Sequence, residues 1–167
     1  MNKFATALAA AAALGLSSAA AFAGEQYVDK SGYAVSGYDV VAYHGLTQSP
    51  IGTPQPAAVP GKAEFSAEHN GATWLFASAA NRDAFKADPA KYAPLYDGHC
   101  AYGVSKGGKV PANANLWRIV DGKLYLNITK QVVSFWEEDV PGAIATAESK
   151  WGGLEGKPAS TKEVPNF

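Results

Sequence analysis

One cysteine and three histidines are the residues of this chain best suited to chemistry: Cys100, His99 directly before it, His44 and His69. A thiolate with neutral imidazoles is a donor set that suits copper and zinc. Three or four ligands drawn from Cys100, His99, His44 and His69 therefore form the candidate metal site. Neighbours such as His99 and Cys100 can share one ion only from a turn or helix start, and a helix N-terminus at Cys100 would also favour the thiolate. The chain has no Cys-x-x-Cys or His-x-x-x-His pair, so three separate segments must converge to build the site. Met1 is the only methionine, which excludes a methionine-rich copper(I) site.

Two other chemistries compete for the same residues. Free cysteine is among the most buried residue types, so Cys100 could be a structural thiol in a scaffold or partner-binding module. Alternatively it could be a nucleophile with His99 or His69 as base. Sequence neighbours rarely have the geometry of a nucleophile and its base, and no oxyanion motif is evident. No catalytic residue is assigned and the chain is not expected to be an enzyme. Asp39 and Asp97 are the acidic residues that could orient imidazoles from behind.

The start of the chain fixes the setting for that cysteine. Met-Asn-Lys is followed by a small, apolar stretch from Phe4 to Ala20 and then Ala21-Phe22-Ala23. This pattern predicts a secretory signal peptide over residues 1–23, cleaved before Gly24, and export to a bacterial periplasm. A lone cysteine in an oxidising compartment has no intrachain disulfide partner, so it must be buried, metal-bound, reactive or paired with another protein. Removal of Lys3 leaves thirteen basic against fifteen acidic residues, near −2. That balance offers no basic field for nucleic acid. No later stretch has the length and hydrophobicity of a membrane span.

The elements that must position these residues are short and well punctuated. The segment 48–60 is rich in Pro, Gly and Thr and predicts an extended loop. Asn70-Gly71 between Glu64–His69 and Ala72–Ala77 predicts a hairpin, because both turn residues tolerate positive φ. A two-residue loop pairs His69 with Ala72, Ala67 with Trp74 and Phe65 with Phe76, all on one face, which turns His69 inward. Ser78 is a helix cap for residues 79–87, and Asp88-Pro89 begins another turn with Tyr92 and Tyr96 four apart on one side. His99-Cys100-Ala101-Tyr102 then begins a short helix that ends by Gly107-Gly108.

A second hairpin turns at Asp121-Gly122, with Trp117, Ile119, Leu124 and Leu126 sharing a face. Thr129 caps a helix carrying Val132, Val133 and Trp136, and Pro141 opens a last helix ending at Gly152-Gly153. The expected architecture is a small single α+β domain with two β-hairpins and several short helices over residues 24–153. Residues 154–167 are expected to form a flexible tail.

Several of these segments resemble the exported YHS-domain proteins of proteobacteria. They are Gly37-Tyr38-Asp39-Val40-Val41-Ala42-Tyr43, Glu68-His69-Asn70-Gly71-Ala72-Thr73-Trp74, the run Phe76–Phe85, Asp88–Pro94, Cys100-Ala101-Tyr102 and Trp117–Asn127. The resemblance spans residues 37–151 in order. It implies a YHS-like α+β domain related to TRASH-like metal modules, with heavy-metal binding as its role. Joined to the donor set of Cys100 and nearby histidines, the expected function is copper or zinc sequestration or delivery, with a periplasmic protein as a further partner. Those metal modules use several cysteines where this chain has one. The resembling proteins carry aromatic residues where this chain has His44 and His99, which singles out both imidazoles.

Overall fold

The structure is a computed structural model that describes residues 24–165. The expected signal peptide at residues 1–23 lies outside the described residues. The fold is built from two antiparallel hairpins and five α-helices, and the hairpins form two separate two-stranded sheets. This is the α+β architecture expected from the sequence.

The first hairpin joins β1 (Lys62–His69) to β2 (Ala72–Phe76), and the second joins β3 (Asn113–Val120) to β4 (Lys123–Asn127). Asn70 and Gly71 have φ of 49° and 70°, and Asp121 and Gly122 have φ of 50° and 74°. Positive φ at both central residues is the twist that a two-residue hairpin requires. Near the first turn the register is as expected, with His69 opposite Ala72 and Ala67 opposite Trp74. Farther out it departs: a bulge between Lys62 and Ser66 places Lys62, instead of Phe65, opposite Phe76. The three-residue offset on the β1 side shifts the pairing beyond it.

The helices begin where the side-chain caps lie. Ser78 accepts from Asn81 N–H at the start of α1 (Ala79–Ala87), and Asp88 caps α2 (Pro89–Tyr92) in the same way. Thr129 caps α4 (Lys130–Glu137) and Asp139 caps α5 (Val140–Trp151). Helix α3 (Ala101–Ser105) starts one residue after Cys100. Tyr92 and Tyr96 do not share one helix, because α2 ends at Tyr92 and Tyr96 enters a 3-10 turn, Tyr96–Gly98. Within that turn Tyr96, Asp97 and Gly98 all have positive φ, at 60°, 52° and 75°.

Two clusters form the core. The larger gathers Trp74, Phe76, Phe85, Tyr43, Trp117, Leu124, Leu126 and Cys100 between the hairpins. The smaller gathers Tyr96, Tyr125, Trp136, Val140 and Ala147 under α4 and α5. Both faces of the second hairpin are therefore covered, and Arg118 and Tyr125, opposite each other, are buried along with Trp117 and Leu126.

Candidate functional site

Cys100 is the N-cap of α3, and its side chain is fully buried. Its Sγ accepts from Gly103 N–H and donates to Asn127 Oδ1, both at 3.4 Å. Asn127 Oδ1 also accepts from Tyr102 N–H at 3.1 Å, so one β4 amide ties down the start of α3. The expected lowering of the Cys100 pKa at a helix start does not occur. Burial pushes the thiol up, and the backbone hydrogen bonds from Gly103, Ile128 and Tyr102 only partly oppose it. A five-residue helix has too few aligned peptides to outweigh that desolvation. Cys100 without metal is thus a protonated thiol at neutral pH, which disfavours it as a free nucleophile.

His99 is buried to the same degree and points elsewhere. Its Nε2 accepts from Ser160 N–H at 3.1 Å, which assigns the ring proton to Nδ1. Nδ1–H in turn donates to the Tyr96 carbonyl at 2.9 Å. The ring packs against Tyr27 with centroids 5.6 Å apart. Desolvation lowers its pKa to about 4, only partly offset by the Tyr96 hydrogen bond. Both nitrogens of a neutral imidazole are occupied, so neither lone pair is open to an ion.

The other two histidines occupy separate surroundings. His44 stands edge-on to Tyr92 of α2 at 5.3 Å, with Nε2 buried and unpartnered. His69 packs edge-on to Phe85 of α1 at 5.5 Å, and its carbonyl accepts from Trp74 Nε1. Burial lowers the pKa of both, with Lys91 adding to the effect at His44. Both are therefore neutral at pH 7. Among the described residues no three His, Cys, Asp or Glu side chains come together as a metal-holding group.

The two acidic residues do not orient imidazoles. Asp39 is fully buried and accepts four hydrogen bonds. They come from Val41 N, Ala42 N, Ala77 N and Asn81 Nδ2, which lock the 37–43 segment onto the start of α1. Asp97 gives its carbonyl to Tyr27 N–H, while its Oδ2 is buried and unpartnered. The residues expected to hold copper or zinc thus do not fit one thiolate–imidazole site. Cys100 and His99 are spent on the fold, and His44 and His69 lie against different helices.

A feature the sequence reading missed is a cleft of about 740 Å³ beside β3 and α4. Tyr38, Asn113, Asn115, Trp117 and Lys130 are among its lining residues. Asn113 Oδ1 accepts from Asn115 N–H and Asn115 Oδ1 accepts from Ala58 N–H. Each amide thereby keeps its NH₂ as a donor, beside the Lys130 ammonium and the Tyr38 hydroxyl. Asn113-Ala114-Asn115 at period two was the available signal, since alternation sets both amides on one face.

The family model of the YHS domain matches residues 55–96, which carry β1, β2, α1 and α2. Residues 55–96 of the chain carry a YHS domain. No curated protein and no solved structure matches it. Metal binding is the role ascribed to YHS domains as a family. Of the four candidate ligands only His69 falls inside the matched residues. No helix among the described residues is long and apolar enough to cross a membrane.

Proposed function

We propose that this chain is an exported, non-catalytic YHS-domain binding protein in which Cys100 and His99 serve the fold. The observation that carries the reading is the engagement of all three donor atoms, Cys100 Sγ and both His99 nitrogens, by buried or part-buried hydrogen bonds. Export to a periplasm rests on the leader ending in Ala21-Phe22-Ala23. A raised thiol pKa and full burial also fit the persistence of an unpaired cysteine there, because oxidants and partner thiols react with exposed thiolate. Metal analysis of protein purified from a periplasm, beside Cys100→Ser and His99→Tyr, tests this. Equal copper and zinc contents in all three proteins, with lower thermal stability in the variants, is the expected result. Stoichiometric metal in the wild type that vanishes with Cys100→Ser contradicts it.

Copper or zinc binding without the thiol is a second reading. It is favoured by the family's ascribed role, by the unpartnered Nε2 of His44, and by His69 lying within residues 55–96. A neutral imidazole is the ligand form, and both rings are held neutral by burial. Relation to TRASH-like modules, with sequestration or delivery to a periplasmic partner, belongs to this reading. Titration with Cu(II) and Zn(II) should then show binding that weakens about tenfold or more in His44→Phe or His69→Ala. Identical weak binding by wild type and both variants eliminates it.

A further inference from the structure

The expected first residue after leader removal, Gly24, is not at a loose end. It is buried, and its carbonyl accepts from Asn70 Nδ2 at 2.7 Å. Three residues on, Tyr27 N–H donates to the Asp97 carbonyl at 2.8 Å. Residues 24–27 therefore lie across the strained turn Tyr96–Gly98. A Cβ added at Gly24 would overlap Asp97 Oδ2 and stand 2.5 Å from the Glu155 carbonyl. The position admits glycine alone, and a buried, unpartnered carboxylate oxygen faces it.

A buried carboxylate without a partner is costly; burial pushes the Asp97 pKa up, and a nearby cation would restore the charged form. Lys109 is nearby, but its ammonium donates to the carbonyls of Glu155 and Lys157 at 2.9 and 2.8 Å. The nitrogen of Gly24 is one bond from the Cα that abuts Oδ2, so a charge on it would lie within a few ångströms of that oxygen. We propose that the α-ammonium created at Gly24 by leader removal pairs with Asp97 Oδ2 and the Glu155 carbonyl, so that processing completes the fold. The proposal rests on the export reading above. Its covalent step is hydrolysis by an export peptidase. Water adds across the Ala23–Gly24 peptide bond, Ala23 leaves as a carboxylate, and Gly24 keeps the nitrogen as an ammonium.

Such a pair would act as a maturation lock. In the uncleaved chain the same nitrogen is a neutral amide, and the charge acting on Asp97 is that of Lys109, held on the carbonyls of Glu155 and Lys157. The test uses protein produced to begin at Gly24 and protein with one alanine added before it, each with Asp97 and with Asp97→Asn. Added alanine and Asp97→Asn should each lower the thermal midpoint, and the double change should lower it no further than the larger single effect. Acylation of the Gly24 amine near neutral pH should be about tenfold slower in the native protein than in urea, since the reagent needs the free base. Fully additive effects, or equal acylation rates, overturn the ion pair. The mass of protein recovered from a periplasm separates the two readings: absence from the periplasm overturns export, and a mature chain there that does not start at Gly24 overturns cleavage at that bond, whatever the cycle shows.

Discussion

Cys100 and His99 are adjacent in sequence and point to different partners, so neighbours that look like one site act as two fastenings. Cys100 holds the start of α3 to β4 through Gly103 N–H and Asn127 Oδ1. Cys100→Val keeps the volume but orphans the Gly103 amide and should cost about 1–3 kcal/mol in denaturant unfolding. A change below the error of that measurement would show the cap to be dispensable. His99, His44 and His69 all have lowered pKa values, His99 reaching about 4. The unfolded chain, with imidazoles near 6.5, therefore binds more protons than the native one between about pH 6.5 and about 4. Stability should be fully present above that window and fall as pH drops through it. A thermal midpoint followed from pH 7 to 4 should decline, and His99→Gln should flatten the slope while lowering the neutral value. A wild-type midpoint that holds constant to pH 4 contradicts the assignment.

Among the elements, what is encoded locally was legible. Asn70-Gly71 and Asp121-Gly122 set two hairpins, and the hydroxyls of Ser78 and Thr129 start helices within one turn of themselves. What depends on distant partners was not. The bulge in β1 moves Phe76 off Phe65, and the burial of both faces of β3 and β4 needs α4 and α5 in place. The site was illegible for the same reason: Ser160, which occupies His99 Nε2, is 61 residues away along the chain. The buried Arg118–Glu137 pair is another long-range tie. Arg118 donates through Nε to Glu137 Oε1 at 2.9 Å and through Nη1 to the Ser49 carbonyl, while Glu137 Oε2 accepts from Gly52 N–H. With side chains 8% and 6% exposed, it fastens the 48–56 loop between β3 and α4. Glu137→Ala leaves a guanidinium buried and unpaired, and should cost about 3–5 kcal/mol by chemical denaturation. Arg118→Met with Glu137→Leu should recover much of that loss, whereas equal losses in single and double variants would contradict the pairing.

At the scale of the whole molecule, the two cores meet at the segment 95–105, where Cys100 belongs to one and Tyr96, Ala101 and Val104 to the other. Both ends of the described chain are fastened there too. Tyr27 N–H reaches the Asp97 carbonyl, Ser160 N–H reaches His99, and Tyr27 Oη donates to the Lys162 carbonyl at 2.9 Å. Composition predicted a loose tail after residue 153, and nothing local announces that His99, Glu25 and Tyr27 hold residues 159–162. A thiol at such a junction should be reachable only when the entire domain opens. The rate of Cys100 alkylation across a denaturant series, with and without equimolar copper(I) or zinc, tests this most directly. A structural thiol predicts negligible native-state labelling, a rate that tracks global unfolding, and no dependence on metal below the transition. Rapid labelling of the folded protein that stoichiometric metal blocks would contradict it and return Cys100 to the ligand set.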